Sequence, residues 1–225
     1  MNKMLFEKTM LNSDYLRNCS KEEVTILMGT DVAKMIGFEQ NNPHHCYDLW
    51  NHTIGVIEAL RTDAPRLLKI AAFFHDIGKP YVAKEKAGRL VFYGHAMKSS
   101  EIAETLLKAL HYSKKEIIEI CFYIRHHDDF ISWVLTDELY DCSNKHLIEI
   151  NRENILHHIC KVSDTEKEGK DIKKWKYLLE LCQADVCVQA EEVWQYGKLV
   201  ETKKHKLERI SAIMKNVENI DESFL

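Results

Sequence analysis

The sequence predicts an all-α fold, and three features carry that prediction. Only 8 Gly and 3 Pro occur in 225 residues, too few for a turn-dense β architecture. Apolar residues recur at three- and four-residue intervals through most of the chain. Two capping boxes, Ser20-Lys-Glu-Glu23 and Ser113-Lys-Lys-Glu116, mark helix starts, because each serine side chain accepts from the N3 amide while the glutamate accepts from the serine amide.

The first box opens a helical unit over roughly 21–37, with Val24, Leu27, Met28, Val32, Met35 and Ile36 at helical spacing. A polar, proline-broken stretch, EQNNPHHCYDLWNH, leads into a second helix in which His52, Val56 and Leu60 share a face. Asp63-Ala-Pro65 starts the helix RLLKIAAFFHD, and Gly78 and Pro80 end it. Residues 81–95 are the least helical part and read as a loop or small hairpin, with Gly88 at its turn. From Ser99 the helical period returns through Ile102, Leu106, Leu107 and Leu110, and the second box opens IIEICFYIRHH. The stretch 130–150 has no decisive pattern. NRENILHHICKV and KKWKYLLELCQADVCVQAEEVW read as helices separated by a charged, solvated loop over 163–174. Leu207, Ile210, Ile213, Met214 and Val217 mark an amphipathic helix within about 199–218.

Neither a repeat nor a composition break forces a boundary, so residues 1–225 are expected to form one domain, with a helical extension over 1–44. The net charge of −4 gives no general attraction to nucleic acid or to an anionic membrane. No run approaches the roughly 20 apolar residues of a membrane span, and the N-terminus lacks the apolar core of a signal peptide, so a cytoplasmic protein without membrane contact is expected. Oligomeric state leaves no mark. Seven scattered cysteines, none in Cys-x-x-Cys, are expected to be reduced and mostly buried.

The histidines are the unusual residues. His52 lies in one helix, His75 and Asp76 end the next, His95 closes the loop, His126 and His127 end another helix, and Asp185 sits in a late apolar helix. Burying so many imidazoles and carboxylates without partners is costly, and a shared metal satisfies them together. Neighbouring helical residues point about 100° apart, so His75 and Asp76 can address two sides of one site, with a carboxylate bridging two ions. Imidazole and carboxylate ligands suit one or two Mn, Fe, Co, Ni or Zn ions, and the lack of thiolate argues against a structural zinc site. Such ions acidify bound water and stabilise phosphate-ester cleavage. Lys79, Lys84, Lys86, Arg89 and Lys98 against Glu85 give residues 79–98 a local balance of +4, which makes Lys79 above all, and Arg89 and Lys98 beside it, candidates for holding a substrate phosphate.

The segments YDLWNHTIGVIEAL, LLKIAAFFHDIGKP, GRLVFYGHAMKSSEIA, IIEICFYIRHHD and LLELCQADVCVQA together resemble the HD phosphohydrolase superfamily, and more narrowly the HD domain of bacterial CCA-adding tRNA nucleotidyltransferases and its free-standing relatives. The resemblance covers about 45–190 and implies a helical HD bundle. It implies His52, His75, Asp76 and Asp185 as basic ligands, with Asp164 competing for the last place. His95 and His127, with His126 as the alternative to His127, match the added histidines of two-metal members. Mg²⁺ joins the candidate ions, Asp76 doubles as the group orienting the water, and the substrates implied are phosphomonoesters or 2′,3′-cyclic nucleotides, on a phosphorylated small molecule, a nucleotide or an RNA end. No Gly-Ser followed by Asp-x-Asp precedes the HD part, so no CCA addition is expected. The competing expectation is an inactive HD module that binds metal or nucleotide for regulation.

Overall fold

The computed structural model describes residues 2–140, 146–166 and 171–220. Helices α1 (Lys3–Met10), α2 (Ser13–Asn18), α3 (Lys21–Met28) and α4 (Thr30–Ala33) precede α5 (Leu49–Ala59), α6 (Arg66–Phe74) and the single turn α7 (Lys79–Val82). An antiparallel hairpin, β1 (Lys84–Lys86) and β2 (Arg89–Val91), leads to α8 (His95–Ala109) and α9 (Lys114–His126). After β3 (Trp133–Val134), α10 (Thr136–Tyr140) and β4 (Ile148–Glu149) come α11 (Arg152–Glu166) and α12 (Ile172–Cys187). The hairpin β5 (Glu192–Gln195) and β6 (Lys198–Thr202) then runs into α13 (Lys203–Glu218). The fold is all-α with small sheets, as the glycine and proline counts anticipate.

Helix α6 packs against α5, α8, α9 and α12. Its composition explains this position: Leu68, Ile70, Ala71, Ala72, Phe73 and Phe74 are all buried, so the helix is apolar around most of its circumference. From the N-terminal extension, Phe6 stacks on Phe74 and meets Phe73 edge-on, both at 5.6 Å between ring centres. Glu7 pairs with Arg66 and accepts from Tyr112 Oη at 2.6 Å, which fastens α1 to the central helices. The extension therefore completes one contiguous apolar cluster that reaches from Phe6 to Ile220. Both capping boxes form as read.

Several boundaries differ from the sequence reading. The unit over 21–37 breaks after Met28, because Gly29 adopts φ +97°, outside the helical region. Helix α6 ends at Phe74, before Asp76, and Pro80 does not terminate it but opens α7, where a missing amide costs nothing. Helix α8 begins at His95 rather than Ser99, and α11 continues through Val162 to Glu166 inside the stretch read as loop, of which residues 167–170 lie outside the described ones. Ile172–Lys174 are also helical. The largest error is at 188–202: the helix read through Trp194 stops at Cys187, and residues 199–202 of the expected C-terminal helix form a strand. Alternation of outward and inward residues in EVWQ is a period-two pattern that four residues are too short to announce. Among the described cysteines only Cys121 and Cys182 are buried, Cys46 and Cys187 are exposed, and all six are unpaired. Cys142 lies outside the described residues.

Candidate metal centre

Five segments bring polar groups to one place at the heart of the helices. His52 stands within α5, His75 and Asp76 follow the last turn of α6, His95 opens α8, His127 caps α9 and Asp185 sits in the last turn of α12. Exposures of 1% for His52, 0% for His75 and 2% for Asp76 leave bulk water no part in solvating them. Helix ends serve here because a ring at such a position reaches a carbonyl of the preceding turn. His75 Nδ1 donates to Ala72 O at 2.7 Å, His95 Nδ1 to Phe92 O at 3.0 Å and His127 Nδ1 to Ile124 O at 2.7 Å. A carbonyl only accepts, so these bonds fix the proton on Nδ1 in the neutral ring and turn the Nε2 lone pair inward.

The inward atoms fall into two groups that share Asp76. His52 Nε2 and His75 Nε2 lie 3.5 and 3.2 Å from Asp76 Oδ2, and Asp185 Oδ1 is 2.9 Å from His52 Nε2 and 3.9 Å from His75 Nε2. His95 Nε2 and His127 Nε2 lie 3.1 and 3.6 Å from Asp76 Oδ1 and 3.1 Å from each other. His52, His75 and Asp76 form one cluster with metal-ligand spacing, and Asp76, His95 and His127 another. His52 Nε2, His75 Nε2, Asp76 Oδ1 and Asp185 Oδ1 are buried and have no hydrogen-bond partner. Orphaned acceptors at such cost fit a cation, and the imidazole–carboxylate set suits a divalent transition metal or Mg²⁺.

The field of the site points the same way. Burial pushes the Asp76 carboxyl up, yet His75 and Lys79 outweigh it and hold it well below the usual carboxylate range. Burial also pushes Asp185 up, and the closeness of His52 and His75 brings it below its ordinary value. Burial alone depresses the His127 imidazole, but Asp128 and Asp76 raise it to about 10. The carboxylates are thus held ionised by the imidazoles and the ammonium around them.

The HD domain family model matches residues 44–189, about two thirds of the chain and every ligand-type residue named above. The chain belongs to the HD domain family. It is also 33% identical over 104 residues to a CC-adding tRNA nucleotidyltransferase from Thermus thermophilus, a match that takes in 44% of this chain and 24% of that protein. Among the described residues no helix is long and apolar enough to cross a membrane.

Within the HD frame the alternatives left by the sequence lie in different surroundings. His127 joins the cluster and His126 does not: its Nδ1 bonds Asp129 Oδ2 at 2.7 Å and its Nε2 bonds Glu166 Oε1 at 3.0 Å. Both ring nitrogens of His126 are thus engaged by carboxylates away from the cluster; burial lowers its pKa, but these carboxylates raise it to about 9. Asp185 touches His52, whereas Asp164 is exposed on α11. The basic residues are placed differently from the sequence expectation. Lys79 is buried, with its ammonium 2.6 Å from Asp76 Oδ2, 2.9 Å from Gln40 Oε1 and 3.2 Å from His45 Nε2. Its donors are committed to the site's own groups. Lys98 pairs with Glu101 at 3.0 Å, and neither it nor Arg89 lines the cavity above the cluster.

Two neighbours escaped the sequence reading. Asp128 Oδ2 lies 3.2 Å from His95 Nε2, and His127-Asp128 repeats the His75-Asp76 doublet at a second helix end, a signal available in the sequence. Gln189, four residues after Asp185, donates to Asp185 Oδ2 at 2.9 Å and accepts from Lys206 Nζ at 2.8 Å. Gln189 also pairs with His45 in an isolated bridge, so segments flanking the helices lock the acid in place. Gln189→Leu is expected to weaken metal binding about 10- to 100-fold, as losses of ligand-orienting partners do, measured by competitive titration with a chelating dye.

Lys206 is in turn 3.2 Å from Glu201, which Arg209 also holds at 2.7 Å. Burial raises the Glu201 pKa, but His44, Lys206 and Arg209 bring it down to about 2. A carboxylate depressed by folding stabilises fully above its unfolded value, near 4.5, and loses that contribution as pH falls toward 2. Urea midpoints measured at pH 5 and pH 3 are expected to separate less in Glu201→Gln than in the unaltered chain.

Proposed function

We propose that this chain is a metal-dependent phosphohydrolase cleaving a phosphomonoester or phosphodiester, of the nucleotide or 2′,3′-cyclic nucleotide type. The observation that carries the reading is Asp76, whose two oxygens face two histidine pairs while Nε2 of His52, Nε2 of His75 and Oδ1 of Asp185 have no hydrogen-bond partner. His52, His75, Asp76 and Asp185 would hold one ion of the Mn, Fe, Co, Ni, Zn or Mg class, and Asp76, His95 and His127 a second. A divalent ion bound there supplies water acidified toward neutral pH and charge for phosphate oxygens. Asp76 keeps both groups in register, one oxygen turned to each. Lys79 neutralises Asp76 in the buried site rather than gripping substrate, and the carbonyl-bound rings of His75, His95 and His127 are set before any ligand arrives. Asp128, partly exposed at the cavity, is placed to take a proton from the attacking water or give one to the leaving group. Phosphorylated small molecules, nucleotides and RNA ends are the partners this chemistry fits.

The test is elemental analysis of the purified chain followed by p-nitrophenyl phosphate and bis-p-nitrophenyl phosphate with added Mn²⁺, Ni²⁺ or Mg²⁺. Bound metal with turnover abolished by chelation supports the reading. Bound metal with no turnover under any ion transfers support to an inactive HD module, and a chain that binds no metal overturns the hydrolase.

A further inference from the structure

The cavity over the metal cluster is far larger than a phosphate needs. It encloses about 420 Å³, where a water occupies about 30 Å³, and lies in the range of pockets for small organic ligands. Its apolar walls include Phe92, Phe130, Ile210 and Ile213, and two further lining residues, Tyr93 and Ile131, are 73% and 79% exposed. Large apolar groups left in water around a concave site mark a binding surface more than a folding need. Ile210 and Ile213 belong to α13, which lies beyond the segment matched by the HD model.

The charges of the same wall are already spent. Lys206 pairs with Glu201 and bonds Gln189, and Arg209 clamps both Glu138, at 2.8 Å, and Glu201. Two cations against two carboxylates leave no net positive charge for a second phosphate, and Glu201 repels one. An uncharged group with flat apolar faces loses nothing here and gains burial against Phe92, Phe130 and the isoleucines, with Tyr93 available for stacking.

Resting on the phosphohydrolase reading for the identity of the reacting end, we propose that this cavity is a leaving-group site, walled by α13, that takes the flat, uncharged heteroaromatic half of a substrate carrying a single phosphate group. Sugar bisphosphates and other esters with a second phosphate are excluded by the paired charges of Lys206, Arg209, Glu138 and Glu201. Ile210 determines the width of the site and Tyr93 its stacking face.

Two readouts test this. The first needs no turnover: calorimetric titration of the full chain with adenosine, cytidine and, as a control, ribose. At least one nucleoside is expected to bind and ribose not. Ile210→Trp, which fills the cavity, is expected to weaken nucleoside binding about tenfold or more without altering metal content. If Ile210→Trp does not fold, Tyr93→Ala at the exposed rim serves, with a loss of about tenfold from the missing stack. The second compares kcat/KM for heteroaromatic monophosphates, glycerol phosphate and a sugar bisphosphate, with at least a tenfold preference expected for the first. Nucleosides binding no better than ribose, or binding untouched in the folded variants, overturns the site. Turnover without the preference also overturns it while leaving the hydrolase reading intact. Nucleoside binding sensitive to Ile210→Trp, in a chain that cleaves no ester, supports the site and removes the hydrolase.

Discussion

Asp76→Asn is expected to lower phosphoester hydrolysis on the order of 10³-fold and to cost the chain most of its bound metal, an effect larger than that of any other single ligand. The reason is position. Asp76 Oδ2 faces His52 and His75 while Oδ1 faces His95 and His127, so one substitution damages both groups, whereas Asp185→Asn touches only the His52 and His75 side. A second consequence separates chemistry from folding. Lys79 is buried 2.6 Å from Asp76, and removing the carboxylate charge strands the ammonium, at a cost of about 3–5 kcal/mol. The double variant Asp76→Asn/Lys79→Met is expected to regain much of that stability in urea unfolding while regaining neither metal nor turnover. A double variant that binds metal as the unaltered chain does would refute the bridging role.

Gly78→Ala is expected to destabilise the chain by about 2–3 kcal/mol and to weaken the His95–His127 group more than the His52–His75 group. A Cβ at Gly78 would stand 2.5 Å from Ser99 N and 2.6 Å from His95 O, both backbone atoms that cannot swing aside. The Gly78 amide also donates to Ser99 Oγ at 2.9 Å, so the turn after Asp76 lies flat against the first turn of α8. Forcing them apart moves His95 away from Asp76. Gly88→Ala is the control: its φ of +75° makes a side chain strained, but a Cβ there meets nothing within 4 Å, and metal content is expected to stay unchanged. Metal stoichiometry and urea midpoints of the two variants decide the matter.

The glycine illustrates how much was legible. Read along the chain, Gly78 is a helix terminator, and the helix does end nearby; that it is needed for close approach depends on Ser99 and His95, some twenty residues away. Likewise the periodicity of RLLKIAAFF announces a buried helix, because the burial of nearly every face is written in its composition. The period-two signal of β5 and β6 spans too few residues to outweigh the helical run before it, so in sequence 188–202 continues the helical pattern that the fold breaks.

Composition and local order fixed the helical class, the two capped helix starts and the set of imidazoles and carboxylates at helix ends, since these follow from short-range periodicity and from the cost of burying polar groups. Tertiary packing decided the rest. Adjacent residues on a helix point about 100° apart, so only the neighbours of α9 could send His127 to Asp76 and His126 to Asp129 and Glu166. The same packing put Asp185 against His52 and left Asp164 exposed, spent Lys79 on Asp76, and folded α13 back to wall the cavity, because each outcome depends on contacts between residues far apart in the chain.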